Sequence, residues 1–402
     1  MEKLIYNEGF ETEGGEHFNS LEIAYKTWGS LNAQHDNVVW VCHALTANAD
    51  IEEWWPGMVG EGKPLDTGRW FVVCANIPGS CYGSTGPLTI NDKTGKPWFH
   101  TFPRLTTRDI VNSHEILRRH LGINSIRCII GSSIGGHQAL EYAIMRPELV
   151  KQLVFIASNA RQSPWAIAFN ESQRLALEAD PSFFSEREGG GAAGLIAARS
   201  VAMLSYRNPP TYNRTQEGLN HLHGEISPGK PLPFRASTYQ RYQGEKLARR
   251  FNAWSYHILT RVSDSHDCGR DRGGVEKALS TVTAKTLAIA VKSDILFPPE
   301  EIKRVADGVP DGKYVEIDSP YGHDGFLTET GTIGRVIEEF LGGGVYGRSN
   351  KKHRIRHSPA NSTDRDKNHS RQNISSLPEE EEITQEVGAA DSTRVVINEK
   401  SW

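Results

Sequence analysis

The chain has 402 residues, 38% hydrophobic and 23% charged, with a formal net charge of −4. That suits a folded domain with a sizeable core and an insertion, and the balanced charge gives no reason to expect nucleic acid or an anionic membrane as partner. No stretch approaches the roughly 20 apolar residues of a membrane span, and the start, Met1-Glu2-Lys3-Leu4-Ile5-Tyr6-Asn7-Glu8, lacks the basic and apolar runs of a signal peptide, so a cytoplasmic location is expected.

Short β-branched runs alternate with helical patterns, the signature of a mainly parallel sheet with crossover helices. In chain order the expected strands are Leu21–Thr27, Val38–Cys42, Trp70–Ala75, Arg127–Ile130, Leu153–Ala157, Thr286–Val291 and Tyr314–Ile317. Cys42, Cys74 and Cys128 fall within or at the ends of these runs and read as small buried hydrophobes. With Cys81 and Cys268 they form no C-x-x-C pair, so neither a disulfide framework nor a metal site is expected. A helix is expected over Thr107–Leu121, where Ile110, Leu117 and Leu121 recur at helical spacing and Gly122 follows as a cap. A second starts near Gly136 and ends before Pro147, and a third covers Ile333–Leu341.

Residues 161–280 break this rhythm. They are polar, rich in Arg, Gln and Tyr, and read as helices without strands. Long connections with structure of their own tend to be functional, and this one is expected to be a helical cap over a catalytic domain made of residues 1–160 and 281–344. Residues 345–402 run from a basic stretch to Glu379-Glu380-Glu381-Glu382 with few large apolar side chains. Such a tail cannot bury enough surface to offset its ordering entropy, and disorder is expected.

The most informative segment is Cys128-Ile129-Ile130-Gly131-Ser132-Ser133-Ile134-Gly135-Gly136. It is a buried strand, then G-x-S-x-G, then a helix start: the nucleophile elbow of the α/β-hydrolase fold in its required context. Of the two adjacent serines only Ser133 has glycines two residues away on both sides. A serine hydroxyl needs a base, itself oriented by a carboxylate, and in this fold the order is Ser, acid, His on loops after successive strands. Asp294 follows Thr286–Val291, and His323 follows Tyr314–Ile317 in a Gly-flanked loop. Asp318 is the rival acid but leaves Asp294 unexplained. Of the fifteen histidines, His114, His120, His221, His223, His257 and His266 are expected to be solvated or hydrogen-bonded structural residues, and His43 to shape a loop. The backbone N–H groups of Ile134 and of Leu45, in Cys42-His43-Ala44-Leu45-Thr46, are the expected oxyanion donors.

With these residues in place, the chain resembles the homoserine O-acetyltransferase family from about Asn7 to Leu341. The likeness rests on His43-Ala44-Leu45-Thr46, Gly79-Ser80-Cys81-Tyr82-Gly83-Ser84-Thr85-Gly86-Pro87, the elbow, Tyr239-Gln240-Arg241-Tyr242-Gln243-Gly244, Ser293-Asp294-Ile295-Leu296-Phe297-Pro298 and Gly322-His323-Asp324-Gly325-Phe326. The resemblance implies a ping-pong transfer of acetyl from acetyl-CoA, through Ser133, to the hydroxyl of L-homoserine, with no cofactor and with a homodimer joined through the cap. It also implies two substrate anchors: Arg207 for the amino-acid carboxylate and Asp324 for the α-ammonium group. Two features depart from the pattern: Ser132 stands where family elbows usually carry glycine, and Gly189-Gly190-Gly191 shifts the spacing to Arg207. Transfer of succinyl, transfer to L-serine and plain ester hydrolysis are the competing chemistries on the same scaffold.

Overall fold

The computed structural model of the chain describes residues 1–220 and 233–342. An eight-stranded sheet organises it. Its strands are β1 (Glu2–Tyr6), β2 (Leu21–Trp28), β3 (Val38–Cys42), β4 (Phe71–Ala75), β5 (Ile126–Ser132), β6 (Gln152–Ile156), β7 (Lys285–Val291) and β8 (Gly312–Ile317). The spatial order is β1-β2-β4-β3-β5-β6-β7-β8. β2 runs antiparallel to β1 and β4, and every other pairing is parallel. This is the expected α/β-hydrolase architecture. β3 and β6 are buried along their whole length and β5 and β7 almost so, as parallel strands covered on both faces must be.

Strand ends differ from the sequence expectation by one or two residues, and β1 is an edge strand the sequence did not announce. Its burial is slight: Glu2, Lys3 and Ile5 are exposed, so it carries no strong alternation to read.

Helices α1 (Thr107–His120) and α2 (Ile134–Met145) cover one face of the sheet. α1 starts on a capping box in which Thr106 and Asp109 satisfy each other's backbone donors, and ends in Arg118, Arg119 and His120, charges that suit a helix C-terminus. α2 begins two residues earlier than expected, directly after Ser133. Between β6 and β7 the chain leaves the sheet for α3 (Pro164–Glu178), α4 (Ala192–Tyr206), α5 (Pro209–Thr215), α6 (Arg235–Ala248) and α7 (Ala253–Asp264). α8 (Pro299–Gly308) and α9 (Thr330–Phe340) complete the described helical layers.

Two hydrophobic clusters flank the sheet. One joins Ile110, Leu140 and Phe155 to Leu177, Leu195, Trp254 and Leu259 of the cap segment. The other joins Val41, Ile130 and Ile289 to Trp55, Ile333 and Ile337. The cap helices therefore share a core with the sheet rather than owning one. Cys42, Cys74 and Cys128 are buried and unpaired. Among the described residues no helix is long and apolar enough to cross a membrane, and no group of His, Cys, Asp and Glu could hold a metal ion. The tail expected to be disordered, residues 345–402, lies outside the described residues, as do His221 and His223.

Candidate active site

Parallel strands deliver their loops to one edge, and the carboxyl ends of β5, β7 and β8 deliver the three residues singled out above. Ser133 sits between β5 and α2 with φ 55 and ψ −128, a backbone conformation that costs a side-chain-bearing residue free energy of order 1–3 kcal/mol. Its neighbours enforce it. A Cβ on Gly131 would stand 2.0 Å from the carbonyl oxygen of Gly135, and one on Gly135 would stand 2.1 Å from that of Cys42. No side chain fits either place, so the turn can close only with glycine there. From the next strand, Ile156 accepts from Ser133 N–H at 3.0 Å, and the Ser158 hydroxyl donates to the Ser133 carbonyl at 2.7 Å.

The Ser133 hydroxyl lies 3.0 Å from His323 Nε2, and His323 Nδ1 lies 2.7 Å from Asp294 Oδ2. The other carboxylate oxygen, Asp294 Oδ1, accepts from the N–H groups of Leu296 and Phe297 at 2.8 and 2.9 Å. The carboxylate is thus pinned from two sides, and its contact assigns the proton on His323 to Nδ1, leaving Nε2 to accept from serine. Phe297, Phe326 and Tyr206 surround the imidazole with ring centroids at 5.2, 5.2 and 5.6 Å. Ser293 ties the acid and base loops together, donating to Ser319 O at 2.6 Å and accepting from Gly322 N–H at 3.0 Å. Asp318, the rival acid, is exposed, and the contact to His323 is made by Asp294.

Leu45 and Ile134 both border the pocket that contains Ser133, and neither backbone N–H donates to another described group. Gln138, one turn into α2, holds the two segments together by donating to His43 O at 3.3 Å and to Ile134 O at 3.2 Å. His43 shapes the loop, as expected. Its Nδ1 donates to Ala44 O at 2.9 Å, its Nε2 accepts from Ile77 N–H at 3.2 Å, and burial pushes its pKa down to about 4.

Arg207 and Asp324 also come together here. Arg207, directly after α4, places Nε 3.3 Å from Asp324 Oδ2, and each side chain is only 9% exposed. The guanidinium also donates to the Tyr239 hydroxyl at 3.3 Å. Burial raises the pKa of Asp324, an effect that Arg207 opposes. Thr211 of α5 donates to Pro320 O, which fastens this part of the cap to the loop carrying His323.

The structure adds residues that the sequence reading did not single out: Tyr206 against His323, Tyr239 against Arg207, and Gln162, Asn170 and Ser263 around the pocket. Tyr206 is next to Arg207 in sequence, but nothing in the local pattern says that its ring reaches the imidazole. A larger cavity, about 160 Å³, lies between the 99–105 segment and α7 and contains none of these residues.

Of the remaining histidines, His266 is hydrogen-bonded as expected, with Nε2 donating to Asn159 O at 3.2 Å. His137, behind the elbow, stacks on His266 at 4.0 Å and donates to Asn159 Oδ1 at 2.9 Å. His114 departs from expectation: it is fully buried, and neither ring nitrogen has a partner among the described residues. Burial pushes its pKa down to about 3. Packing against Trp40 at 5.5 Å outweighs solvation there.

Comparison with known proteins bears on the fold and the family. A family model for the alpha/beta hydrolase fold matches residues 37–330. A homoserine O-acetyltransferase from Cyclobacterium marinum is 46% identical over 340 residues, covering 84% of this chain and 95% of that protein. One from Chlorobaculum parvum is 42% identical, covering 82% and 92%. Among solved structures, a homoserine O-acetyltransferase from Staphylococcus aureus superposes with a TM-score of 0.69 at 28% identity, covering 87% of this chain and 97% of that one. Esterase E22, with a TM-score of 0.75 at 24% identity over 85% of this chain and 99% of that one, shares the fold.

Proposed function

The chain belongs to the homoserine O-acetyltransferase family of the α/β-hydrolase fold, enzymes of methionine biosynthesis, and on that premise we propose that it moves acetyl from acetyl-CoA to the side-chain hydroxyl of L-homoserine by way of acetyl-Ser133. His323 Nε2, 3.0 Å from the Ser133 hydroxyl, takes its proton as Oγ attacks the thioester carbonyl. The oxygen that gains charge accepts from the N–H groups of Leu45 and Ile134, and one such donor is worth about 3 kcal/mol in the transition state. The C–S bond then breaks, and His323 gives its proton to the departing thiolate. Homoserine enters with its carboxylate on the Arg207 fork and its ammonium group at Asp324. Its hydroxyl loses a proton to His323 and attacks the acetyl carbonyl. The bond to Ser133 breaks, and the proton returns to Oγ. Throughout, Asp294 keeps the imidazole in one tautomer and stabilises its charged form.

The observation that carries this reading is the buried Arg207–Asp324 pair at 3.3 Å, beside the base. Ester hydrolysis needs the serine, histidine and aspartate but has no use for a buried ion pair shaped to receive a zwitterion. Free homoserine can exchange with that pair, its two charges replacing the ones each residue now meets.

The test mixes the full chain with acetyl-CoA or succinyl-CoA, together with homoserine, L-serine or neither, and follows free thiol. Sustained release is expected only with acetyl-CoA and homoserine, with O-acetylhomoserine as product. Turnover without an amino acid would make the protein a hydrolase. The reading carries with it a cytoplasmic enzyme and a homodimer joined through the cap, where Leu175 and Leu204 stand 58% and 54% exposed. Sedimentation of a Leu204→Glu variant as monomer, against a wild-type dimer, is the expected result.

A further inference from the structure

The cavity of about 160 Å³ between the 99–105 segment and α7 has a wall and a rim of different chemistry. Its wall is apolar and largely aromatic: Phe99, Phe102, Leu105 and Trp254 are buried there, with Ile258 beside them. Phe99 and Trp254 meet edge to face with ring centroids 4.9 Å apart. An apolar cavity of about 150 Å³ takes one benzene molecule, so this one has room for a single aromatic ring.

The rim is basic. Arg104 and Arg261 border it, both are exposed, and among the described residues no carboxylate pairs with either. The acids nearby have other neighbours: Glu178 lies 3.5 Å from His257 Nε2, and Glu171 and Asp264 each hold Arg174 at 2.6 Å. The local field stays positive in spite of them. Burial first, then Arg261, Arg174 and His100, push the His257 pKa down to about 4, against an opposing pull from Glu171.

A buried donor at the cavity is also short of a partner. His100 Nε2 lies 2.8 Å from Phe183 O and 3.2 Å from Trp254 Nε1. One ring nitrogen cannot donate to the carbonyl and accept from the indole N–H at once. The shorter contact assigns its proton to the carbonyl, which leaves the Trp254 N–H without an acceptor among the described residues. An incoming oxygen would relieve that loss.

We propose that this cavity is a second ligand site, distinct from the Ser133 pocket, for a small aromatic carboxylate, with the ring against the apolar wall and the carboxylate among Arg104, Arg261 and the Trp254 N–H. The site stands independently of acyl transfer. A guanidinium fork matches the two oxygens of a carboxylate, and neither a bare inorganic anion nor an uncharged ring uses both halves of the site. α7 borders this cavity with Trp254, His257, Ile258 and Arg261 and borders the Ser133 pocket with Ser263. An occupant therefore rests on a helix that both sites share.

The test titrates the full chain with phenylacetate, acetate, inorganic phosphate and 2-phenylethanol, followed by calorimetry and by saturation-transfer NMR. Phenylacetate is expected to bind once per chain with a Kd of about 1 mM or lower, as suits a ligand of roughly ten non-hydrogen atoms. The other three should bind at least about tenfold more weakly, since each lacks the ring or the carboxylate. Arg261→Glu changes only an exposed side chain and should raise the phenylacetate Kd about tenfold or more. Ile258→Trp, which fills the cavity, should abolish binding. Saturating acetyl-CoA or L-homoserine should leave the stoichiometry at one. Displacement of phenylacetate by either would place it in the Ser133 pocket and overturn the second site. Phosphate or 2-phenylethanol binding as tightly as phenylacetate, an unchanged Kd in Arg261→Glu, or no binding to the wild type would overturn it as well.

Discussion

The sheet and the cap meet at Ser133, but they position their functional groups by different means. On the sheet side the backbone does the work. Strand ends, a positive φ at Ser133 and two glycines with no room for a Cβ place the hydroxyl, and two amide donors orient Asp294. On the cap side, side chains place one another: Asp324 and Tyr239 meet Arg207, and Tyr206 lies between Arg199 and His323. Backbone placement is rigid and suits bond-making. Side-chain placement can exchange partners, which suits the proposed entry of two different substrates in turn.

The comparison breaks first at the nucleophile. Ser133→Ala is expected to lower acetyl transfer on the order of 10⁴- to 10⁶-fold while leaving the circular dichroism spectrum intact. Activity within tenfold of wild type would remove the sheet side from the mechanism. Gly135→Ala tests the backbone itself: its Cβ would stand 2.1 Å from Cys42 O. Because backbone atoms cannot step aside as side chains do, destabilisation of about 3 kcal/mol or more is expected in urea unfolding, at the upper end of overpacking costs.

On the cap side, Arg207→Lys keeps the charge but loses the planar fork. A KM for homoserine higher by about 10²-fold is expected, as for loss of a charge-assisted pair worth about 3 kcal/mol. The burst of thiol from acetyl-CoA alone should stay near the wild-type rate. A burst slowed as much as turnover would move Arg207 from acceptor binding to the chemistry.

A smaller effect separates the core from both regions. His114, buried and unpartnered with its pKa pushed down to about 3, is neutral in the fold and takes up a proton only on unfolding. The stability contributed by that neutral form is complete above the unfolded value near 6.5 and is lost as pH falls toward the folded one. At pH 5 the loss is on the order of 2 kcal/mol. His114→Leu should therefore narrow the difference in urea midpoint between pH 7.5 and pH 5. His43 and His137, both pushed down to about 4, act in the same direction and would remain. An unchanged difference would mean that the buried His114 ring carries no such linkage.

Legibility in the sequence follows the same division. Buried parallel strands appear as unbroken β-branched runs. G-x-S-x-G marks its turn because the chain folds there only with glycine, and Asp294 and His323 lie on the loops that follow their strands. These are short-range constraints that one sequence displays. The resemblance, rather than any local pattern, pointed to Arg207 and Asp324, because their meeting depends on how α4 ends against the His323 loop. The contacts of Tyr206 with His323 and of Tyr239 with Arg207 went unseen for the same reason: residues far apart in sequence converge only after helices pack. His114 was misjudged because it is polar by type, although it lies on the same stripe of α1 as Ile110 and Leu117, and Trp40, which packs against it, lies on another element. The exposed β1 showed too little alternation to be recognised.

The measurement closest to the central claim is the mass of the protein itself. Mixed with acetyl-CoA and quenched, the chain should gain one acetyl group, mapped by peptide sequencing to Ser133. Added L-homoserine should remove it and yield O-acetylhomoserine, faster than water removes it. An acetyl group on another residue, or none while O-acetylhomoserine still accumulates from the wild type, would contradict transfer through Ser133.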